Sequence, residues 1–542
     1  MSLPPQTKYI VGNEACERFS FYGMRSILTL YMTNLLLMSE SEAVAVAHLF
    51  NAGIYILPLL GAWIADRFLG RYKTILYISL FYCLGHGVLA TADWASDLET
   101  RKSILFIGLF IIALGAGGIK PCVSAFVGDQ VAQEGDSRTM TRVYAAFYWA
   151  INLGSFFSFL VIPWVRQSWG YSWAFGIPGL FMALATLVFW CGRRHYRHRD
   201  PAQPDFARVL GCRLLRGTRA ARERFGAPAL ERTDATALRI AAFIVIAPLV
   251  VGALRCSQQG AEQLAALLGA SAVAASLCGL VSLLLCLAAL TAAGLRLAAT
   301  LRAGGLAGLL GTRLFAGSAA CAARFSPEQR RGARNLLRVL TVFAMIIPFW
   351  SLYDQTMSSW VIQGEQMRPL VLGTTGLRFG AEEMQSFNPL LVMLLVPAVT
   401  LLLYPRMGRW SRPLRRMGSG IVLAGLSYGA VAWLQMRLDA GEQLSILWQM
   451  LPYFILTCSE ILVSTTGLEY AYTAAGKDMK SLVSGFWFLT STLGNCLVIY
   501  LTSLVSHPAA TSTFLLYGGL AVGIGLLFLW VTGRPVFAAE ND

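Results

Sequence analysis

The chain has 542 residues, of which 56% are hydrophobic and 13% are charged, and its mean hydropathy is +0.58. A soluble domain carries about 25% charged residues, so a water-soluble enzyme of this composition would lack the polar surface to cover its domains. The net charge of +15 lies mainly in two arginine-rich linkers, at residues 193–224 and 406–416, which the positive-inside rule places in the cytoplasm. The chain is therefore expected to span a bilayer and not to bind nucleic acid.

Apolar runs recur along the whole chain, and each has the roughly 20 residues that a helix needs to cross a bilayer. They are continuous, whereas the strands of a membrane β-barrel alternate between apolar and polar residues. The first part of the chain is predicted to contain helices 1 to 6, near residues 8–36, 46–67, 74–91, 103–126, 141–165 and 172–191. The last part is predicted to contain helices 7 to 12, near residues 338–362, 384–404, 418–436, 446–472, 482–505 and 513–532.

Two further Ala/Leu/Val-rich runs, at 238–255 and 264–300, lie between the two groups of helices. They predict an inserted transmembrane hairpin, which brings the total to 14 helices. Its near absence of charge favours a peripheral pair of helices over a functional one. The predicted domains are a six-helix bundle at 1–193, linkers with the hairpin at 194–337, and a second six-helix bundle at 338–542.

The charges of the loops predict the orientation of the helices. Loops after odd-numbered helices carry acidic residues such as Glu40 and Glu382, whereas loops after even-numbered helices carry basic residues such as Arg67 and Lys73. Both termini are therefore expected in the cytoplasm. The residues before Glu14 contain no clean apolar run and no small-residue cleavage site, so no removable signal peptide is expected.

The two groups of helices are predicted to be repeats at an offset of 340 residues. The offset pairs residues of matching character, which are Glu14 with Asp354, His48 with Asn388, Lys120 with Glu460, Phe147 with Trp487, and Leu153-Gly154 with Leu493-Gly494. Parallel repeats of a transporter would produce such a pattern.

Helix 1 carries four charges inside its apolar run, which are Glu14, Glu17, Arg18 and Arg25. With 100° per residue they fall, together with Tyr22, within about 140° of one face, so this face is expected to line a polar interior. Glu14, Glu17 and Arg18 either form an ion-pair cluster that fixes helix packing or exchange a proton. Proton exchange is favoured because two carboxylates share one cation.

Lys120, Asp354 and Glu460 also lie inside predicted helices and need partners. We expect salt bridges between the two halves, Arg25 with Asp354 and Lys120 with Glu460, that close one side of a cavity and break when substrate or proton arrives.

His48 lies seven residues before Tyr55 and shares its helix face, either as a structural histidine or as a proton relay. An amphipathic pocket wall is expected from aromatic and polar residues one turn apart, which are Tyr148 with Asn152, Trp350 with Asp354, and Glu460 with Ser464. The 11 cysteines are scattered singly, and the sequence shows neither a metal cluster nor a nucleophile with its base. An enzyme, a metal site and a cofactor are therefore not expected.

The segment EACERFSFYGMR, from Glu14 to Arg25, resembles the ExxERFxYYG signature of the proton-dependent oligopeptide transporters of the major facilitator superfamily. Further similar segments follow in order: GAWIADRFLGRYK from Gly61, GGIKPCVSAFVGDQ around Lys120, FYWAINLGS at 147–155, PFWSLYDQ up to Asp354, NPLLVMLL from Asn388, and SEILVSTTGLEYAYTAAGKDMKS around Glu460. The resemblance covers both halves, and the insertion is similar to the extra hairpin of bacterial members. One departure is Phe21, where the signature usually has tyrosine.

The resemblance implies an all-helical major facilitator fold with two six-helix bundles, and it implies roles for individual residues. Arg25 and Lys120 would bind the carboxylate of a peptide, and Asn152, Asn388 and Glu460 would bind its amino terminus. The pocket walls would come from Tyr22, Tyr55, Tyr148, Trp350, Tyr353 and Trp487, with Ser464 beside them. By this resemblance, Glu14, Glu17 and Arg18 would couple proton movement to the cycle, and Asp354 and Glu460 would be outer-gate partners of Arg25 and Lys120. With the buried residues noted above, the expected proton-coupling set is Glu14, Glu17, Arg18, His48, Asp354 and Glu460.

The expected function is therefore proton-coupled import of di- and tripeptides by alternating access, in a multi-pass protein of a bacterial inner membrane that works as a monomer with protons as its coupling ion. The rival within transport is a carrier of nitrate, histidine or another small anion or amino acid, because one scaffold serves many substrates.

Overall fold

The computed structural model describes residues 4–58, 61, 64–131, 137–197, 339–372, 377–406, 408, 412–467, 470, 480–503 and 507–533. We call the described residues up to 197 the first half and those from 339 the second half. Both halves belong to one compact unit, Met1–Gln203 with Val339–Asp542. The predicted hairpin at 238–300, and with it most of the predicted linker domain, lies outside the described residues.

The first half is built from long helices that agree with the apolar runs. They are α1 (Thr7–Leu30), α2 (Glu40–Ile56), α3 (Gly70–Ala90), α4 (Leu98–Val131), α5 (Ser137–Trp169) and α6 (Tyr171–Cys191). A π-helical turn, Tyr31–Leu35, continues α1, and another, Ala65–Leu69, precedes α3.

Helix α2 begins at Glu40, six residues before its predicted start, because Ser39 caps it. The Ser39 hydroxyl accepts a hydrogen bond from the Glu42 N–H at 3.3 Å, and the Glu42 carboxylate accepts one from the Ser39 N–H at 3.0 Å. This capping box satisfies two backbone donors at the helix start. Glu40 and Glu42 therefore lie in the first turn of a helix, where the helix dipole favours carboxylates, and not in a loop as the loop charges suggested.

The second half contains shorter helical pieces. They are α7 (Ile347–Tyr353), α8 (Ser359–Glu365), α9 (Phe387–Ala398), α10 (Pro413–Asp439), α11 (Met450–Glu460), α12 (Lys480–Thr502) and α13 (Thr511–Thr532). A short helix, Ala381–Met384, precedes α9, and π-helical turns follow α9 at Val399–Leu403 and α11 at Ile461–Thr465.

The predicted helix 7, at 338–362, is broken in the structure. A 3-10 turn, Asp354–Met357, separates α7 from α8, and Ser358 leaves the helical region with φ −134° and ψ −90°. Such a break inside a transmembrane segment is tolerated where protein groups satisfy the freed backbone, and it often marks a functional position.

A small β-hairpin follows α8 and was not predicted. Strands β1 (Leu370–Leu372) and β2 (Leu377–Phe379) pair antiparallel, with Leu370 opposite Phe379. Three-residue strands are too short to show an alternating pattern in the sequence, so nothing distinguished them from a loop.

Eight described segments are long and apolar enough to cross a bilayer, and the shorter apolar helix Phe486–Thr502 joins them. The spans are 70–94, 98–120, 142–169, 171–194, 381–406, 413–439, 446–465 and 511–532. The predicted fold class, an all-helical polytopic membrane protein, is therefore confirmed. The count of fourteen helices stays a prediction because the inserted hairpin is not described.

Glycines let equivalent helices pack closely in the two halves. A Cβ atom on Gly154 of α5 would lie 2.3 Å from the Ala15 carbonyl oxygen of α1, and one on Gly494 of α12 would lie 2.8 Å from the Trp350 Cβ of α7. Gly154 and Gly494 are one of the pairs at the offset of 340 residues. In each half, the fifth predicted helix thus contacts the first through a small residue.

Candidate functional site

The buried charges of α1 form one ion-pair cluster. The Arg18 Nε lies 2.7 Å from a Glu14 carboxylate oxygen and 2.9 Å from a Glu17 oxygen, and both acids are 2% exposed. Burial of unpaired charges is costly, so the shared guanidinium allows the acids to remain inside the fold. When both acids are ionised the cluster carries one excess negative charge, which a single proton neutralises.

Phe21 lies at the centre of the first half's cations. Its fully buried ring has the Lys120 ammonium 4.2 Å, the Arg25 guanidinium 5.3 Å and the Arg18 guanidinium 6.0 Å from its centroid. Tyr55 adds a second ring 4.7 Å from the Lys120 ammonium. Aromatic faces attract cations, so these rings stabilise positive charge away from water. In the sequence Phe21 stood out only as a departure from a signature, although Arg18 and Arg25 lie one turn on either side of it.

One cavity lies between the two halves and is lined by residues of both. It gathers six predicted binding residues, which are Tyr22, Tyr148, Asn152, Tyr353, Asn388 and Glu460. Further lining residues were not predicted, namely Ile151, Ser155, Phe159, Thr356, Met357, Gln385, Pro389 and Tyr453. The lining residues that belong to α5, from Tyr148 to Phe159, recur every three or four residues. Helical periodicity that starts from Tyr148 and Asn152 could therefore have predicted them.

An amide and a carboxylate of the second half meet at this cavity. The Asn388 side-chain NH₂ donates to a Glu460 carboxylate oxygen at 2.9 Å and to the Thr457 hydroxyl at 3.0 Å. The Tyr353 hydroxyl donates to the Asn388 side-chain oxygen at 3.4 Å. Across the cavity, the Asn152 NH₂ donates to the Tyr148 backbone carbonyl at 2.9 Å. These groups present acceptor oxygens to the space between the halves, which suits a ligand with an ammonium group.

Aromatic residues of the second half cluster beside Tyr353, although Trp350 and Trp487 are not among the residues that line the cavity. The Trp350 ring centroid lies 5.8 Å from that of Tyr353 and 6.0 Å from that of Trp487, both in edge-to-face geometry. Ser464 lies half-buried in the π-helical turn that follows Glu460. Trp350, Trp487 and Tyr353 thus lie together, and their role as a pocket wall stays a prediction.

A smaller cavity lies where Arg25, His48 and Asp354 meet. The two ring nitrogens of His48 lie 2.7 Å from the Asn495 side-chain oxygen and 2.9 Å from the Ser358 hydroxyl. The Asn495 NH₂ donates to an Asp354 carboxylate oxygen at 2.8 Å. His48 and Asp354 are therefore joined through Asn495, a fully buried residue that the sequence analysis did not single out.

The predicted gate pairs stay predictions. Arg25 and Asp354 line the same cavity, but within the described residues no ion pair of 4.0 Å or less joins them. Lys120 lies against the rings of Phe21 and Tyr55, while Glu460 accepts the hydrogen bond from Asn388.

One end of the interface between the halves is closed by polar contacts. The Arg166 guanidinium at the end of α5 lies 2.7 Å from the buried Glu382 carboxylate, and the Gln167 amide donates to Glu383 at 2.8 Å. The Gln385 amide donates to the Ser26 carbonyl at 3.2 Å. From the sequence, Glu382 and Glu383 were expected only as charges of a loop. The opposite charges at the end of helix 5 and the start of helix 8 could have predicted an ion pair between them.

Within the described residues, no group of three or more His, Cys, Asp and Glu side chains is placed to hold a metal ion.

Comparison with known proteins identifies the group of proteins to which this arrangement is similar. A family model described as the POT family matches residues 72–263 and 315–517. Peptide transporter family 1 of Drosophila melanogaster is 31% identical over 445 residues, which cover 80% of this chain and 48% of that protein. Solute carrier family 15 member 2 of Oryctolagus cuniculus is 30% identical over 450 residues, 81% of this chain and 50% of that protein. The chain thus spans about half the length of the curated relatives it matches.

Solved structures match along nearly their whole length. The crystal structure of the POT family transporter PepTSo is similar with a TM-score of 0.76 and 34% identity, covering 100% of this chain and 99% of that one. The crystal structure of an auto-inhibited POT family peptide transporter is similar with a TM-score of 0.74 and 37% identity, covering 98% and 97%.

Proposed function

Because the chain belongs to the POT family, we propose that it is a proton-coupled symporter that imports di- and tripeptides by alternating access. The observation that carries the proposal is the division of charge between the halves. The first half supplies Arg25 and Lys120 around Phe21, and the second half supplies the Glu460 carboxylate hydrogen-bonded to Asn388. A peptide is a zwitterion, and it needs a cationic and an anionic group separated by a cavity.

In this proposal Arg25 and Lys120 bind the peptide carboxylate, which forms strong charge-assisted hydrogen bonds in a desolvated site. Asn152, Asn388 and Glu460 bind the ammonium group. Both interactions engage the ends of the peptide, so they do not depend on its side chains.

The peptide side chains are proposed to lie against Tyr22, Tyr55, Tyr148, Trp350, Tyr353 and Trp487, with Ser464 nearby. Aromatic walls offer a large apolar contact area, and the hydroxyls of tyrosine add polar contacts. Such a surface accepts many side chains, which supports a broad range of peptides.

Proton coupling is proposed to use the cluster Glu14–Glu17–Arg18, together with His48, Asp354 and Glu460. One excess negative charge in the α1 cluster allows a single proton to be taken up and released there. One charge that moves down a potential of 100 mV releases about 2.3 kcal/mol, so one proton per cycle supports appreciable accumulation.

Alternating access is proposed to use contacts between the halves that form and break at the outer end of the cavity. The Arg166–Glu382 ion pair closes the end that the predicted topology places outside. The pairs Arg25–Asp354 and Lys120–Glu460 form in other states of the cycle and break when peptide or proton competes for their charges.

The protein is proposed to lie in a bacterial inner membrane with both termini in the cytoplasm. It is proposed to function as a monomer without a cofactor or nucleic-acid partner. Its proposed domains are six-helix bundles at 1–193 and 338–542, with the linkers and the hairpin at 194–337 between them.

Ligand-induced thermal stabilisation of the purified protein tests the substrate class. Dialanine at saturating concentration is expected to raise the unfolding midpoint, because a ligand that binds only the folded state stabilises it. Alanine, histidine and nitrate at the same concentration are expected to leave it unchanged. A rise with histidine or nitrate and none with dialanine would replace the peptide assignment with that of a small-anion or amino-acid carrier.

A further inference from the structure

A second buried polar contact joins α1 to α3. The His86 Nε2 atom of α3 lies 3.0 Å from the Ser20 hydroxyl of α1, and both residues are fully buried. The other ring nitrogen, Nδ1, faces the backbone of Phe175 without a hydrogen bond of good geometry. The proposed function leaves His86 without a role.

One helical turn before this contact, α3 carries a phenol and α1 carries a carboxylate. Tyr82 precedes His86 by four residues and its ring stacks on the imidazole, with centroids 5.2 Å apart. Glu17 precedes Ser20 by three residues. Both side chains are buried, with Tyr82 0% and Glu17 2% exposed.

Tyr82 and Glu17 leave their hydrogen-bonding capacity unused in the described structure. The Tyr82 hydroxyl is buried and makes no hydrogen bond, and neither Glu17 carboxylate oxygen accepts one in good geometry, although Arg18 lies 2.9 Å away. An ionised carboxylate that loses part of its contact with Arg18 needs another donor. Tyr82 lies one turn before His86, as Glu17 lies one turn before Ser20, so the two unbonded groups flank the same contact between α1 and α3.

Glycines of neighbouring helices hold His86 and Tyr82 in place. A Cβ atom on Gly179 of α6 would lie 2.9 Å from the His86 Cβ, and one on Gly115 of α4 would lie 2.6 Å from the Tyr82 Cβ. Close backbone approach on both sides leaves these side chains little room to change position. The His86 imidazole therefore keeps a fixed position, and its hydrogen bond positions Ser20 of α1.

We propose that His86 is a positioning residue for Glu17: its hydrogen bond to Ser20 holds α1 against α3 in the register at which Tyr82 donates a hydrogen bond to the ionised Glu17 carboxylate. The proposal rests on Glu17 exchanging the coupling proton, as in the proposed function. The groups that act on Glu17 are then Glu14 and Arg18 of α1, Tyr82 of α3 and Lys120 of α4. Those that face His86 are Ser20 of α1 and Tyr82 of α3, while α6 presents the Phe175 backbone and Gly179.

Infrared titration of the full-length protein in liposomes tests the proposal without any transport. The carboxylic acid band that Glu17→Gln removes reports protonation of Glu17. A hydrogen bond to an ionised carboxylate favours the ionised form, so Tyr82→Phe is expected to raise the protonation midpoint by about one pH unit. His86→Leu and Ser20→Ala are expected to raise it in the same direction because they release α1 from α3.

Two further variants separate positioning from other roles. His86→Gln retains a polar group near the position of Nε2 and cannot titrate near neutral pH, so it is expected to keep the wild-type midpoint. Ser158→Ala, which removes another fully buried hydroxyl of the first half that bonds only within its own helix, is the matched control and is expected to change nothing.

An unchanged midpoint in Tyr82→Phe, a shift in His86→Gln as large as in His86→Leu, or no band that Glu17→Gln removes would each overturn the proposal. Uptake of dialanine by wild-type protein in the same liposomes is measured in parallel. Failure of that uptake would contradict the proposed function, while the infrared midpoints would still decide the role of His86.

Discussion

The cluster of Glu14, Glu17 and Arg18 holds two buried acids on one base inside α1. A cluster of this composition changes its net charge when it takes up one proton, and this is the property that a coupled transporter requires. Among the described residues, Glu17 lies 2.9 Å from Arg18 but accepts no hydrogen bond of good geometry, whereas Glu14 accepts one from Arg18 at 2.7 Å. Glu17 is therefore the member of the pair that we expect to exchange the proton.

Replacement of Glu17 by glutamine is expected to abolish peptide accumulation driven by a proton gradient. Glutamine keeps the shape of the protonated acid but cannot release a proton, so counterflow exchange, which needs no net proton movement, should remain. Uptake and counterflow in proteoliposomes measure the two activities. Glu99→Gln, in an exposed ion pair with Lys102, is the matched control. Full proton-driven accumulation by Glu17→Gln would remove Glu17 from the mechanism.

Lys120 is expected to recognise the carboxylate of the peptide. Loss of a charge-assisted hydrogen bond costs about 1.5–3 kcal/mol, so Lys120→Ala should weaken dipeptide binding by about 10- to 100-fold. Binding of the same dipeptide as its C-terminal amide should change little, since the amide carries no negative charge. Lys102→Ala, on the same helix and close to solvent, is the control. Equal losses for the acid and the amide would show that Lys120 does not bind the carboxylate.

At this scale the sequence predicted the charged residues but not all of their neighbours. An ionisable residue inside an apolar run is conspicuous because its burial is costly, and this is how Glu14, Lys120 and Glu460 were found. Phe21 and Asn495 are neutral, and nothing local marks them. Asn495 joins His48 and Asp354 only because the fold brings together residues 447 positions apart.

Between elements, the contact of Arg166 with Glu382 is the ion pair that holds the end of α5 to the short helix before α9. Glu382 is 2% exposed, so removal of its charge leaves a partly buried guanidinium without its partner. We expect Glu382→Ala to shift the protein toward states in which this end is open. The fully buried Ser26, replaced by cysteine, should then react about tenfold faster with a membrane-impermeant maleimide.

Two comparisons define that experiment. Glu442→Ala breaks an exposed ion pair with Arg437 within the second half and should leave the labelling rate unchanged. Combined replacement of Arg166 and Glu382 by alanine should be labelled more slowly than Glu382→Ala alone, because no unpaired charge remains. An unchanged rate in Glu382→Ala would mean that the pair does not hold this end closed.

The contact of α5 with α1 through Gly154 predicts a cost in stability. Alanine at 154 would place its Cβ 2.3 Å from a backbone oxygen of α1, so the helices must separate, at a cost of about 1–3 kcal/mol. Gly154→Ala should therefore lower the thermal unfolding midpoint of the purified protein. Gly519→Ala, where a Cβ meets nothing within 4 Å, should leave it unchanged or raise it slightly. Equal midpoints for the two variants would show that the helices adjust without strain.

The helices themselves were largely predictable, because a continuous apolar run of membrane length can satisfy its backbone hydrogen bonds in a bilayer only as a helix. The interruptions of the helices were not predictable. The turn at Asp354–Met357 lies inside an apolar run that reads as one helix, and its Ser358 is fixed by His48 from the other half at 2.9 Å. Long-range contacts of this kind interrupt a helix that the local hydrophobic pattern predicts, and no periodicity of the sequence indicates them.

For the molecule as a whole, composition was enough to indicate a polytopic helical membrane protein, and the order of motifs was enough to indicate its family. The architecture in two halves places the cations Arg25 and Lys120 in the first and the acceptors Asn388 and Glu460 in the second. Relative motion of the halves therefore changes the separation between the groups proposed to bind the two ends of a peptide. This is the physical basis on which binding, proton movement and opening can be coupled.

The most direct test is uptake of radiolabelled dialanine into proteoliposomes that carry an inward proton gradient. We expect accumulation above the external concentration, its loss on addition of a protonophore, and competition by other dipeptides but not by free alanine. Dialanine accumulation that a protonophore does not reduce, or no dialanine uptake by folded and correctly inserted protein, would contradict proton-coupled peptide transport.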